Sequence, residues 1–326
     1  MPYALHRGDF LPTAGWDNLR LRAELLRRVR GFFDRRGFLE VETPILSADT
    51  VVDRHLDPFA VEHPPKSGRR LWLQTSPEFA MKRLLAAGAE AIYQVAKVFR
   101  QGELGPLHNP EFTMVEWYRV GDGLAEGMQL LSDLGEALLQ RGPAETVRYA
   151  EAFQTHLGID PNAATGAELA AAARGRSLAV PESLVEDDRD GWLDLLLAEC
   201  VAAKLGAERP TIVYDYPASQ AALASVRPGE PPVAERFELF VSGIELANGY
   251  HELVDAAELR ARIAQNNALR QSDGKPALPS ESRLLAAMEA GLPPSTGVAL
   301  GFDRVVMVAA GAKRLDEVIT FPFDRA

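Results

Sequence analysis

Four stretches of the chain carry side chains whose types and spacing suit chemistry. The first is FRQGELGPLHNPEFTMVEWY, residues 99–118. Read as a strand, its second half puts Phe112, Met114, Glu116 and Tyr118 on one face, because alternate residues of a strand point the same way. A carboxylate and a phenol two residues apart offer charge and acceptor oxygens to an ammonium group. Arg100, at the mouth of the facing strand, carries the planar guanidinium that grips phosphate. The ordinary alternative is a hairpin whose polar face meets water.

The second is ERFELFVSGIELANGYHEL, residues 235–253. Ser242-Gly243 suits a two-residue hairpin turn. Counting back from it pairs Val241 with Ile244 and Phe240 with Glu245, and sets Glu238 one diagonal step from Glu245 on the same face. Two like charges so placed repel. A cation between them reverses the sign, and two carboxylates with a triphosphate are a usual way to hold Mg²⁺. Otherwise both simply face water. The third is GVALGFDRVVMVAAG, residues 297–311, where a strand meets a helix at Gly301. Arg304 falls in the first helical turn, where the macrodipole disfavours a cation unless an anion sits there. A solvated arginine is the alternative. The fourth is SPEFAMKRLL, residues 76–85, in which Glu78 either accepts from a substrate amine or caps its helix, since Thr75-x-x-Glu78 fits a capping box.

Other chemistry is weakly supported. His6, His55, His63, His156 and His251 have no metal-ligand spacing, and no Ser-His-Asp arrangement is readable. His108 lies in a long polar connection and can reach a phosphate. Cys200, the one cysteine, reads as core and leaves no disulfide framework or Cys-rich zinc site. Neither a P-loop nor a strand-GxGxxG-helix unit is present in the sequence.

The elements that must position these residues are legible in outline. Leu21, Leu25, Val29, Phe32 and Phe33 form the stripe of an amphipathic helix over 17–36, and Gly37 suits its C-terminal cap. Leu39 and Val41 alternate with Glu40 and Glu42 as in a strand, stopped by Pro44. Strands are expected at 71–75, 91–99, 112–120, 211–216, 236–247 and 297–301. Helices are expected at 77–87, 256–271 and 303–310, and across most of 124–205. Strands and helices mix without regular βαβ alternation, which predicts an α+β fold with a largely antiparallel sheet flanked by helices.

Composition sets the bounds. The chain of 326 residues is 47% apolar and 25% charged, as expected of a globular protein. No run approaches the ~20 apolar residues of a membrane span. The opening MPYALHRGDFLPTAGW lacks the apolar core of a secretory signal, so a cytoplasmic location is expected. A net charge of −11 makes a poor general binder of nucleic acid.

Together these segments resemble the three signature motifs of class II aminoacyl-tRNA synthetases in their lysyl form. GFLEVETPIL at 37–46 looks like motif 1, FR at 99–100 with HNPEFTMVEWY at 108–118 like motif 2, and GVALGFDR at 297–304 like motif 3. TSPEFAMKRLL and GIELANGYHEL also match the lysyl group. The resemblance implies the class II catalytic core, ATP and Mg²⁺ as cofactors, and a homodimer formed through motif 1. It implies that Arg100 and Arg304 act in catalysis. It further implies that His108, Asn109 and Phe112 contact ATP, and that Glu238 and Glu245 hold the metal. Gly102, Glu103, Leu246 and Gly301 complete the nucleotide site. Glu116, Tyr118 and Glu252 would receive the side-chain ammonium of a lysine-like substrate. Ser76, Pro77 and Glu78 would lie near its other amine, and Asn248 near its carboxylate.

Departures from the family pattern shift the expected acceptor. Motif 1 begins close to the first methionine, so no anticodon-binding domain is expected, only one catalytic domain over 1–326 with a helical insertion at about 124–205. PASQAALA at 217–224, VAERFE at 233–238 and the closing FDRA resemble a short subfamily of lysyl-tRNA-synthetase-like ligases. These join (R)-β-lysine to a lysine ε-amine of elongation factor P. A truncated synthetase that charges tRNA with lysine, and a catalytically silent regulatory paralogue, share many of the same motifs. Synthetases usually carry alanine at the position of Ser76 and glycine at that of Ala299. A methyl at 299 would crowd an amine on the α-carbon. Gly102 replaces the usual motif 2 glutamate, with Glu103 adjacent.

Overall fold

The computed structural model describes residues 10–326, so His6 and the start of the N-terminal segment lie outside the described residues. Helix α1 (Trp16–Asp34) buries Leu25, Val29, Phe32 and Phe33 along the expected stripe. Gly37, at φ 75°, turns the chain, and the Phe38 amide donates back to the Phe33 carbonyl at 3.1 Å. The strand expected at 39–42 is reduced to β1 (Leu39–Glu40), which pairs with parallel orientation before Pro44. A small sheet follows, made of β2 (Leu46–Ser47), β3 (Ala60–Glu62) and β4 (Arg70–Leu73).

Helix α2 (Glu78–Ala86) starts without the capping box that is the alternative reading of Glu78. The Glu78 amide donates to Ser76 Oγ at 3.0 Å, and the Glu78 carboxylate turns inward to Lys82 instead. Two long strands then form the antiparallel pair β5 (Ala91–Phe99) and β6 (Glu111–Val120), within a residue of expectation.

Residues 124–205 are not helical throughout. They hold α3 (Leu124–Leu139), an edge strand β7 (Glu145–Arg148), α4 (Tyr149–Leu157), α5 (Gly166–Gly175) and α6 (Arg189–Leu196). Helix α3 packs in the main core with α1, whereas α4–α6 build a second core around Phe153, Trp192 and Leu196. The main sheet continues with β8 (Thr211–Pro217), β9 (Val226–Arg227), β10 (Val233–Val241) and β11 (Ile244–His251). Helices α7 (Ala256–Ser272) and α8 (Arg283–Gly291) precede β12 (Ser295–Gly301) and α9 (Phe302–Ala310).

The main sheet runs β1-β5-β6-β12-β11-β10-β8-β7, with β9 beside β10. Only β1 with β5 and β7 with β8 are parallel among the described pairs, so the sheet is mostly antiparallel as expected. One face carries Tyr93, Val115, Trp117, Phe237, Leu239, Val298 and Leu300 against α1, α3 and α9. Strand alternation therefore turns Glu116, Tyr118 and Ala299 to the opposite face. Arg22 of α1 locks this arrangement, reaching Asp303 Oδ1 at 2.6 Å and Thr113 Oγ1 at 2.8 Å. No helix of the described residues is long and apolar enough to cross a membrane.

Candidate functional site

The face of the sheet turned away from α1 floors a cavity of about 420 Å³. Its walls include Arg100, Glu103, His108, Asn109, Phe112, Gly301 and Arg304, the side chains expected to meet a nucleotide. Ser76, Glu78, Asn248 and Ala299 line it too, as do Glu238, Glu245 and Leu246. Four segments distant in sequence thus converge as expected.

The cationic part of the wall is held by backbone oxygens. Arg304 donates to the Glu245 carbonyl at 2.9 Å and the Leu107 carbonyl at 3.3 Å. Its Nη2 lies 2.7 Å from His108 Nε2. Arginine is always a donor, so His108 accepts through a neutral imidazole. Burial pushes the His108 pKa down, and the neighbouring Arg304 and Arg100 add to that. Arg100 lies 5.1 Å from the Phe112 ring centre and 3.5 Å from Glu103. These two guanidiniums and a neutral imidazole form a surface suited to phosphate oxygens. Asn109 is less free than expected: it donates to the Glu111 carbonyl at 2.6 Å and accepts from the Phe323 amide at 2.9 Å. Its carboxamide fastens the loop to the C-terminal segment. Gly102 turns the loop at φ 85° and does not line the cavity, whereas Glu103 does.

Glu238 and Glu245 share the wall, although their strand register departs from simple counting. Phe240 pairs with Glu245 as expected, but a bulge between Leu239 and Phe240 pairs Glu238 with Asn248. Glu238 is buried, accepting from Tyr216 Oη at 2.6 Å and facing Arg236 at 2.5 Å. Burial raises its pKa, with Arg236 opposing and Glu245 reinforcing the shift. The described residues contain no group of three or more His, Cys, Asp or Glu able to hold an ion. Two oxygen-donor carboxylates on one wall fit a hard divalent cation that takes its remaining ligands from phosphate and water.

A buried carboxylate cluster closes the opposite chemistry. Glu116, fully buried, accepts from Ser76 Oγ at 2.7 Å and Tyr118 Oη at 2.6 Å. Burial pushes its pKa up to about 7. Ala299 is its register partner on β12, and Asn248 is the partner of Ala299 on β11. The Asn248 Oδ1 is buried without a hydrogen-bond partner, as expected of a group awaiting a ligand. Glu252 and Glu78 are both engaged by Lys82, at 2.5 Å each. Burial raises the Glu252 pKa, and Lys82 opposes the shift. Glu116, Tyr118, Glu252 and Pro77 sit behind the cavity surface rather than on it. Ser76 and Glu78 are the members of the cluster exposed to the cavity.

Several residues of the site carried no readable signal in the sequence. Lys82 sits in a helical pattern like any surface lysine. Val51, Val52, Asp53 and Leu56 line the cavity from an irregular segment. That segment is fixed by buried Arg270, which donates to the Asp53 and Leu56 carbonyls at 2.9 and 3.0 Å and to Asp57 at 2.8 Å. Arg54 adds ion pairs to Asp188 and Asp273 at 2.6 and 2.8 Å. Pairing across more than 130 residues leaves no local periodicity to detect.

Comparison with known proteins agrees with this chemistry. A family model described as class II tRNA synthetases (D, K and N) matches residues 13–325. The chain is 48% identical over 321 residues to an elongation factor P–(R)-β-lysine ligase of Vibrio vulnificus (strain YJ016), covering 97% of this chain and 99% of that protein. A protein of the same name from Klebsiella pneumoniae (strain 342) is 48% identical over 318 residues, covering 97% and 98%. One from Haemophilus influenzae (strain PittGG) is 46% identical over 318 residues, with the same coverage.

The geometry of the cluster depends on Gly297. A Cβ there would fall 2.2 Å from the Tyr118 ring and 2.3 Å from Glu252 Oε1, whereas Gly175 has open space. Gly297→Ala is expected to cost about 1–3 kcal/mol by overpacking. Gly175→Ala should be close to neutral. Urea denaturation of both variants checks this, and equal midpoints would contradict it.

Proposed function

The chain belongs to the class II tRNA synthetases of the D, K and N group, and on that premise we propose that it activates (R)-β-lysine with ATP and transfers it to a lysine ε-amine of elongation factor P. It is a ligase, as its relatives are named, and on this reading an AMP-forming one. The observation that carries this reading is the joining of two chemistries in one cavity. Arg100, His108 and Arg304 suit the phosphates, and Ser76 and Glu78, with Glu116 hydrogen-bonded behind Ser76, suit amines.

In the first step, a carboxylate oxygen of β-lysine attacks the α-phosphorus of ATP. A P–O bond forms as the bond to pyrophosphate breaks. Arg100 and Arg304 neutralise charge that gathers on the phosphoryl oxygens, so positioning and electrostatics supply most of the acceleration. No protein base is required, because the attacking carboxylate is already ionised. Phe112 stacks on adenine, and Glu103, Asn109, Leu246 and Gly301 shape the nucleotide site, with Gly102 turning the loop behind it. Glu238 and Glu245 would hold Mg²⁺, which supplies charge neutralisation to the triphosphate. In the second step, the ε-amine of the acceptor attacks the carbonyl carbon of the adenylate. The C–O bond to AMP breaks, and the amine loses a proton.

Recognition of the amino acid rests on Glu116, Tyr118 and Glu252 for one ammonium, and on Ser76, Pro77 and Glu78 for the other. Asn248 faces the carboxylate end. Ser76 donates to Glu116, and Ala299 is the register partner of Glu116, so both departures from the synthetase pattern lie beside one residue. The Ala299 methyl disfavours an amine on the α-carbon and so selects the β-isomer. Exposed Leu39, Ile45 and Leu46, within the motif 1 segment, support a homodimer.

Two outcomes test the reading. Radiolabelled β-lysine with ATP should mark elongation factor P and leave tRNA unmarked; label on tRNA alone would contradict it. Ala299→Gly should raise kcat/KM for α-lysine about tenfold in pyrophosphate exchange, the scale of one methyl contact in a pocket. An unchanged value would remove Ala299 from the selection of substrate.

A further inference from the structure

The amine pocket contains an ammonium of its own. Lys82, in the second turn of α2, is 2% exposed, as deeply buried as the hydrophobic core. Its Nζ lies 2.5 Å from Glu78 Oε1 and 2.5 Å from Glu252 Oε2. Glu78 and Lys82 come from α2, Glu116 from β6, and Glu252 from the residue after β11. Burial alone would lower the Lys82 pKa, but the two carboxylates outweigh it and keep the ammonium charged. Glu116 has no such cation: both its oxygens accept from neutral hydroxyls, those of Ser76 and Tyr118. The nearby phenols of Tyr118 and Tyr250 are held neutral, first by burial and then by the surrounding carboxylates.

Taking the proposed substrate as the premise, we propose that Lys82 is a positioning residue that sets the charge of this pocket. Its ammonium orients Glu78 and Glu252 and, once a bound ligand has left all three carboxylates ionised, cancels one of three negative charges. Two charges remain, and the two ammonium groups of β-lysine neutralise them. Uncompensated charge in a buried site is costly, so a pocket short of two cations prefers a diammonium ligand. Without Lys82 the same ligand would leave one carboxylate unmatched, and Glu78 and Glu252 would repel each other across the vacated space. The role differs from that of a packing strut, which would be served by any side chain of similar length.

The test is pyrophosphate exchange by Lys82→Met, which keeps length and removes charge. The expected result is a KM for β-lysine raised by about tenfold or more, with the KM for ATP within about twofold. Lys82→Arg keeps the charge and should hold the β-lysine KM within about threefold of wild type, a split from Lys82→Met that a strut would not produce. Should Lys82→Met fail to fold, Lys82→Gln replaces it as the neutral variant, with the same expectation. A wild-type β-lysine KM in the neutral variant, or a Lys82→Arg no better than the neutral variant, overturns the proposal alone. A wild-type protein with no β-lysine-dependent exchange overturns the functional reading, and this proposal with it.

Discussion

The burial of three carboxylates beneath one face of the sheet is the constraint on which the rest of the site depends. Glu116 and Glu252 are at most 1% exposed, and Glu78 is 8% exposed. Such groups are strongly destabilising in a protein interior unless paired or hydrogen-bonded. The fold compensates from every side: Ser76 and Tyr118 donate to Glu116, and Lys82 bridges Glu78 and Glu252. The apolar core on the opposite face supplies the stabilisation that makes this arrangement tolerable. Gly297 lets Tyr118 and Glu252 approach the sheet closely. The pocket is therefore preorganised for cations before any ligand arrives.

The same sheet carries the opposite electrostatics a short way along its strands. Arg100 follows β5, and Arg304 lies in the first turn of α9, which starts directly after β12, so both guanidiniums are delivered by strand ends. Backbone carbonyls and the neutral His108 hold Arg304, and the Glu245 carboxylate lies 3.7 Å from it. An amino acid whose ammonium groups lie in the carboxylate cluster would extend its carboxylate toward the phosphate side. Strand alternation and strand ends would thus set the order of charges along a substrate bound as proposed.

Much of this was legible in the sequence because it is local. Alternation placed Glu116 and Tyr118 on one face, and the Ser242-Gly243 turn fixed the pairing of Phe240 with Glu245. What escaped was non-local. The bulge that moves Glu238 opposite Asn248 breaks the count without any sequence mark, since neither flanking residue is a glycine. The Glu78 capping box was a correct local pattern overridden by tertiary structure, because Lys82 and Glu252 draw the carboxylate inward. Lys82 itself follows Glu78 by four residues, a spacing common on exposed helix faces, and only the packing of α2 reveals its burial. The segment 51–57 is held by Arg54 and Arg270 through partners far away in the chain. Asn109 lines the cavity as the resemblance implies, and its amide also fastens the C-terminal segment, a link that no local pattern announces.

The central claim is that a diammonium ligand completes a buried carboxylate cluster. Burial raises the pKa of Glu116 to about 7 and also lifts that of Glu252, so the empty pocket holds protons near neutral pH. A ligand bringing two positive charges lowers both pKa values and must expel those protons. Calorimetry of β-lysine binding in buffers of different ionisation enthalpy measures that release directly. The account predicts release of protons at about pH 6.5 that diminishes by about pH 8.5. Binding with no proton release at the lower pH would contradict it.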